Sequence, residues 1–142
     1  MSGKIVRVLP VRKFEYETAD LGQGNSASFL IIKGVDVTQY KEIVLCARLH
    51  EQSASGNQSM TIALYNDSST DEDPSIEFLG STELTSITFA AGGSVPRMDT
   101  KAVVSSSDKI ASKVALKVTL TQDTTTPADY SSIVSADLIL RD

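Results

Sequence analysis

The feature that most constrains this chain is the recurrence of a large apolar residue at every second position in several short segments. In EIVLCARLH (residues 42–50) every second residue belongs to one apolar row, which consists of Ile43, Leu45, Ala47 and Leu49. The same period of two recurs in residues 60–65 and 114–121. Successive side chains of a β-strand point to opposite faces, whereas a helix would scatter these residues around its circumference. The pattern therefore predicts strands with one buried face.

Turn-forming clusters rich in Gly, Asn, Asp, Ser and Pro separate these segments at fairly regular intervals, and no stretch of ten residues has a helical pattern. We expect strands near residues 4–9, 12–17, 27–33, 42–50, 59–65, 76–79, 84–89, 101–104, 113–121 and 133–141. Many short strands with one apolar face each predict an all-β fold, an antiparallel β-sandwich that is jelly-roll-like and has about eight to ten strands. We also expect the last two strands to form a hairpin across the tip at residues 124–126.

The length of 142 residues fits a single β-sandwich domain spanning residues 1–142. One cysteine excludes an intramolecular disulfide, and a single Cys with a single His excludes a zinc site of the usual ligand type. No apolar run approaches the roughly 18 residues of a membrane span, and the N-terminal residues do not resemble a secretory signal. Stability must therefore come from core packing, and we expect no membrane partner.

The charge is unevenly distributed along the chain. A net charge of −5 argues against nucleic-acid binding, which needs a basic surface. Residues 1–13 nevertheless contain no acid and four cations, whereas no Lys or Arg lies between Arg48 and Arg97. We expect residues 1–13 to form an extended basic N-terminal arm that contacts a neighbouring subunit through Lys4, Arg7, Arg12 and Lys13. The alternative is a solvated surface on which the charges cluster by chance.

Cys46 and His50 raise the question of a reactive pair. On a strand, residues four apart share a face but lie roughly 13 Å from each other, too far for a nucleophile and its base. Cys46 is thus interpreted as a buried structural residue and His50 as a surface residue. A triad centred on His50 would need a nucleophile from a distant segment, and no Gly-x-Ser-x-Gly elbow or phosphate-binding glycine loop is present. We expect no catalytic residues, no cofactor and no enzymatic activity.

The acidic loop of residues 66–74 is the best candidate for a metal site, because carboxylates and hydroxyls are ligands suited to Ca²⁺. Its spacing lacks the central glycine and terminal glutamate of an EF-hand, and a solvated acidic loop is the alternative. We expect no metal, and leave open whether the acidic loop from Asp67 to Asp73 binds calcium. The lack of tryptophan, with only four Tyr and four Phe, argues against a carbohydrate-binding module.

Three segments carry a resemblance to a known class of protein: IIKGVDVTQYKEIVLCARLH (residues 31–50), SMTIALYND (residues 59–67) and VSADLILRD (residues 134–142). They resemble small all-β structural proteins of tailed bacteriophage particles. The resemblance implies a non-enzymatic capsid decoration or cement protein, made in the host cytoplasm and located in the virion. Its expected partners are the major capsid protein or other virion proteins, and we expect a homo-oligomer. A glycan- or protein-binding β-sandwich module of the tail-fibre or surface-adhesion type is the alternative, and the choice between head and tail stays open.

Overall fold

The computed structural model describes residues 3–17, 20–53, 57–66, 83–104, 113–123, 125–126 and 128–142. This part of the chain contains eight β-strands and no α-helix. The strands are β1 (Gly3–Tyr16), β2 (Ser26–Asp36), β3 (Glu42–Gln52), β4 (Ser59–Asn66), β5 (Glu83–Ala90), β6 (Arg97–Val104), β7 (Lys113–Thr121) and β8 (Tyr130–Arg141). The strand expected near residues 76–79 and the acidic stretch of residues 67–74 lie outside the described ranges.

The strands form two four-stranded antiparallel sheets: sheet A has the order β1-β8-β3-β6, and sheet B has the order β2-β7-β4-β5. Strands from the two ends of the chain pair in a nested series, β1 with β8, β2 with β7, β3 with β6 and β4 with β5. A long antiparallel hairpin rolled around a core produces this order, which is that of a double-sheet jelly roll. The predicted all-β, jelly-roll-like sandwich is confirmed.

The core lies between the two sheets and consists of the alternating rows that the sequence predicts. Burial of each large aliphatic side chain stabilises the fold by about 1.5–3 kcal/mol. In sheet A the buried rows are Ile43, Leu45, Ala47 and Leu49 of β3 and Val134, Ala136, Leu138 and Leu140 of β8. In sheet B they are Met60, Ile62 and Leu64 of β4 and Val114, Leu116, Val118 and Leu120 of β7.

The N-terminal segment differs from the extended arm expected for residues 1–13. Gly3–Tyr16 is one continuous edge strand that pairs with β8 from Gly3↔Arg141 to Tyr16↔Tyr130. Val8 and Leu9 are buried in this domain's own core. Two register shifts, on either side of Leu9, let the strand continue past Pro10, whose missing N–H is tolerated on an edge. The strands expected at residues 4–9 and 12–17 are therefore one element.

The predicted hairpin between the last two strands is wrong. β7 pairs with β2 and β4 in sheet B, whereas β8 pairs with β1 and β3 in sheet A. The connection is fixed where it leaves β7, because Gln122 N donates to Asn25 O at 2.9 Å and Asn57 N donates to Asp123 Oδ2 at 2.8 Å. Both Gln122 and Asp123 are buried. Because β7 and β8 belong to different sheets, the connection that begins with these residues crosses from sheet B to sheet A.

Candidate interaction surface

The outer face of sheet A consists of the residues that alternate with its core rows. Cross-strand pairing aligns one polar row across all four strands, Arg7, Asp137, Cys46 and Thr100. A neighbouring row is apolar and consists of Ile5, Ile139, Val44 and Ala102. Ile5 is 71% exposed. Met98 lies two residues before Thr100 on the same face of β6 and is 56% exposed. The face thus combines charged and large apolar side chains.

An arginine–aspartate cluster of Arg7, Asp137 and Arg48 lies at the centre of this face. Arg7 Nε donates to Asp137 Oδ1 and Arg48 Nη1 donates to Oδ2 at 2.7 Å, with a longer contact of 3.5 Å from Arg7 Nη2 to Oδ2. Asp137 is buried, whereas the side chains of Arg7 and Arg48 are 47% and 41% exposed. The hydrogen bond to Asp137 raises the pKa of Arg48 above its ordinary value, and Cys46 makes a smaller contribution in the same direction. Two guanidinium groups over one carboxylate leave an excess of one positive charge.

Cys46 and His50 do not form a pair. Cys46 is buried in the same row as Asp137, as expected of a structural residue. His50 is half-buried, and its Nε2 lies 2.9 Å from Ser135 Oγ. A serine and a histidine at this distance resemble a nucleophile and its base, but Ser135 is buried, so its hydroxyl does not meet substrate in this structure.

The four cations predicted to bind a partner do not form one patch. Arg7 and Lys13 face outward opposite Asp137 and Ile133, and Lys13 Nζ lies 3.3 Å from Glu15 Oε2. Arg12 is paired with Val134 of the core row, and its guanidinium lies 5.2 Å from the centroid of the Phe14 ring. Lys4 is opposite Leu140, also a core-row residue. Only Arg7 joins the arginine–aspartate cluster, and partner binding by the four residues stays a prediction.

Arg48 and Asp137 are the residues of this face that sequence reasoning missed. The signal in the sequence was weak: Asp137 is the charged residue in the otherwise apolar or small stretch IVSADLIL, residues 133–140. Its partners come from β1 and β3, which are distant in sequence and flank β8 only in the folded sheet.

A cleft of about 500 Å³ opens where β1 ends and β8 begins, and its lining includes Glu15, Glu17, Asp20 and Asp129. The rings of Tyr16 and Tyr130 border it but are buried, with centroids 5.7 Å apart. Burial, with smaller contributions from Tyr130 and Asp123, raises the pKa of Tyr16 to about 12. No group of three or more His, Cys, Asp or Glu side chains in the described ranges is placed to hold a metal ion.

Asp123 fixes the loops beside this cleft. It accepts from Thr125 N at 2.8 Å, Thr125 Oγ1 at 3.0 Å and Asn57 N at 2.8 Å. The backbone donors of Thr125 and Asn57 lower the pKa of Asp123 to about 2. The ionised carboxylate therefore stabilises the crossing between the sheets.

No protein-family model and no curated protein sequence matches the chain. Among solved structures it is similar to VP2 of the infectious bursal disease virus subviral particle, with a TM-score of 0.56 and 11% identity over 98% of this chain and 32% of that chain. The structure of the Gx strain of the same virus gives a TM-score of 0.54 at 11% identity, covering 98% of this chain and 31% of that chain.

This chain therefore spans about a third of the length of the viral proteins that it matches. TmCBM61, a carbohydrate-binding module solved in complex with β-1,4-galactotriose, gives a TM-score of 0.47 at 10% identity over 99% of this chain and 88% of that chain. That value is too low to inform fold or function. Within the described ranges, no helix is long and apolar enough to cross a membrane. The viral matches establish a β-sandwich fold shared with a viral capsid protein.

Proposed function

We propose that this protein is a non-enzymatic structural protein of a virus particle, and more specifically a capsid decoration or cement protein. It would act through contacts with the major capsid protein or other virion proteins. The observation that carries the proposal is the fold, because nearly the whole chain matches part of a viral capsid protein at a TM-score of 0.56. The resemblance of its sequence to small structural proteins of tailed bacteriophage particles supports the same class.

The outer face of sheet A supports a role in protein contacts. Met and Arg are enriched at protein–protein interfaces, where exposed apolar side chains form the centre and polar side chains the rim. Here Ile5 and Met98 are largely exposed. Ile5 lies beside the half-exposed Arg7 on β1, and Met98 of β6 is paired with the half-exposed Arg48 of β3. Asp137 holds both guanidinium groups in place, so little side-chain entropy remains to be lost when a partner binds.

Two alternatives have less support. An esterase-like site would use the contact between His50 and Ser135, but the hydroxyl of Ser135 is buried. A glycan-binding module would present an aromatic ring to the sugar, yet the two tyrosines that border the acidic cleft are buried within the fold. A structural role requires neither an accessible nucleophile nor an exposed ring.

The proposal is tested on purified virus particles from the source of this chain. Antibodies raised against the recombinant chain should label intact particles in immunogold microscopy, and quantitative mass spectrometry should find the chain at a fixed ratio to the major capsid protein. Recombinant chain should also bind particles that lack it, and less so at high salt. Its presence only in the unassembled fraction of an infected lysate would overturn the proposal.

A further inference from the structure

The two sheets have four edge strands, β1 and β6 in sheet A and β2 and β5 in sheet B. Bulges and prolines on an edge strand keep it from pairing with another chain. Register shifts interrupt the pairing of β1, β2 and β5, and β1 also contains Pro10. In contrast, β6 pairs with β3 from Glu42↔Val104 to Leu49↔Arg97 without a shift and contains no proline. Within the part of the chain that the structure describes, no strand pairs with the other side of β6.

Backbone groups in the middle of β6 point away from β3. Thr100 is paired with Cys46 of β3, yet its N–H donates to the side chain of its neighbour, Asp99 Oδ1, at 2.8 Å. This N–H therefore points to the open edge, where a carboxylate accepts it as the carbonyl of a further strand would. Because the direction of the backbone groups alternates along an antiparallel strand, those of Met98 and Ala102 point to the same edge.

The side chains of this edge carry opposite charges two residues apart. Asp99 and Lys101 are paired with Ala47 and Leu45 of the core row of β3, so both lie on the inner face of sheet A, and both are exposed. Neither forms an ion pair with another described residue. Inward-pointing charges keep an edge from pairing with most strands. A strand that pairs with β6 must therefore place a charge of the opposite sign at each of the two positions.

We propose that the strand that pairs here is β6 of a second copy of this chain. The contact is edge to edge, so that sheet A of one copy continues into sheet A of the other. Neighbouring antiparallel strands are related by a two-fold axis normal to their sheet, and this axis passes midway between the two Thr100 residues. Thr100 then exchanges N–H···O bonds with its own equivalent, and Met98 exchanges them with Ala102 of the second copy.

The charges favour this register over the neighbouring ones. With the axis at Thr100, Asp99 of each copy lies opposite Lys101 of the other. Moving the axis by one residue places Asp99 opposite Asp99 or Lys101 opposite Lys101, and like charges directly opposite each other are destabilising. On the outer face, the same register covers the exposed Met98 with Ala102 of the second copy and brings the two threonine hydroxyls together. The strand is thus complementary to its own copy in one register.

This inference goes beyond the proposed function and is independent of it. Ile5 and Arg7 lie on β1, at the opposite edge of sheet A, so the contact leaves that part of the outer face accessible to a virion partner. Self-association of the purified chain and its presence in particles are separate measurements, and either can fail without the other.

The first test measures self-association of the purified full chain by sedimentation velocity over a range of concentrations, and we expect a reversible dimer. Asp99→Lys and Lys101→Asp each place like charges opposite each other, so each should weaken the dimer about tenfold. An equimolar mixture of the two variants should associate about as well as the wild type, because at positions 99 and 101 one chain then carries two cations and the other two anions. Circular dichroism of each variant confirms that it is folded. A wild-type chain that stays monomeric at all concentrations, or a mixture that associates no better than the separate variants, would overturn the proposal.

The second test addresses the backbone of the edge. Thr100→Pro removes an N–H that points away from β3, so the variant should stay folded while its dimer weakens at least about tenfold. The matched control Thr100→Val keeps the N–H and should retain the dimer. Hydrogen exchange tests the same contact in the unmodified chain, where the amides of Met98, Thr100 and Ala102 should exchange more slowly as the concentration rises. A dimer in which these amides exchange at the monomer rate would place the contact elsewhere and refute the proposal.

Discussion

At the scale of single residues, Asp137 is the side chain with the most consequences outside the core. It is a buried carboxylate on the outer face of a sheet, and it accepts hydrogen bonds from Arg7 of β1 and Arg48 of β3. A buried charge is tolerated when it is paired and hydrogen-bonded. One residue of β8 thereby links three neighbouring strands.

Replacing Asp137 by alanine removes this link and leaves two guanidinium groups close together. We expect the free energy of unfolding to fall by about 1–2 kcal/mol, at the lower end for charge-assisted hydrogen bonds because both arginines are partly exposed. Urea unfolding measures the change. The control Glu15→Ala breaks the exposed pair with Lys13 and should cost less than about 0.5 kcal/mol. Equal costs for the two variants would contradict a structural role for the cluster.

The carboxylate of Asp123 predicts a pH dependence. Its pKa is about 2 in the folded protein, below the ordinary value of 3.8, so the stability that it contributes is complete above pH 4 and is lost as the pH falls towards 2. Asp123→Asn should reduce stability near pH 6 and flatten the fall between pH 4 and 2. Urea midpoints measured from pH 7 to pH 2 test this. A variant whose curve runs parallel to that of the wild type through this window would refute the assignment.

At the scale of secondary-structure elements, the facing of each strand decides which substitutions are costly. β7 presents Leu116 and Val118 to the core and Lys117 and Thr119 to the outer face of sheet B. A shift of one residue in register would exchange these rows, so the burial of one row fixes the register.

Leu116→Ala should therefore destabilise the protein by about 2–5 kcal/mol through lost burial and a residual cavity. Thr119→Ala, on the other face of the same strand, should cost far less. The two midpoints of thermal or urea unfolding provide the comparison. Similar costs would mean that the facing of β7 is wrong.

Because β1 is an edge strand of this domain's own sheet, deleting it should disrupt the fold. A detachable arm would instead leave the fold intact when deleted. Deleting residues 1–13 removes Val8 and Leu9 from the core and leaves β8 unpaired along one side. We expect the truncated chain to lose cooperative unfolding and to aggregate through the exposed strand edge. Circular dichroism and size-exclusion chromatography test this. A monomeric truncated chain with a sharp thermal transition would show that β1 is dispensable for the fold.

At the scale of the whole molecule, the two outer faces differ in chemistry. Sheet A presents charged and apolar side chains, whereas a row across sheet B consists of hydroxyls from Ser28, Thr119, Thr61 and Thr88. Thr61 and Thr88 hydrogen-bond each other at 2.9 Å, which satisfies part of this row within the protein. The contrast is consistent with the proposal that sheet A is the face that contacts other proteins.

The jelly-roll order predicts a single unfolding transition. Each sheet joins strands from both halves of the sequence, and one core is shared by both sheets, so neither half can unfold alone without exposing apolar surface of the other. Far-ultraviolet circular dichroism, which reports strands, and near-ultraviolet signals of the buried Tyr16 and Tyr130 should give coincident curves. Two separated transitions would mean that residues 1–142 are not one cooperative domain.

Most of the strands, and the side chains that face the core in four of them, can be identified from the sequence alone. The rows of β3, β4, β7 and β8 follow from a period of two, which is a local property of the chain and needs no knowledge of neighbours. A single core and the all-β class follow from the number of such rows.

The pairing of the strands, in contrast, becomes apparent only in the folded protein. Because a period of two specifies the face of a strand but not its partner, the sequence alone led to a hairpin of β7 and β8 that the jelly roll places in separate sheets. The same reason explains the arginine–aspartate cluster: Arg7, Arg48 and Asp137 lie in three strands that become adjacent only when the two ends of the chain pair. It also explains the N-terminal segment, whose cations indicated an arm while its pairing with β8, at the far end of the sequence, makes it part of the sheet.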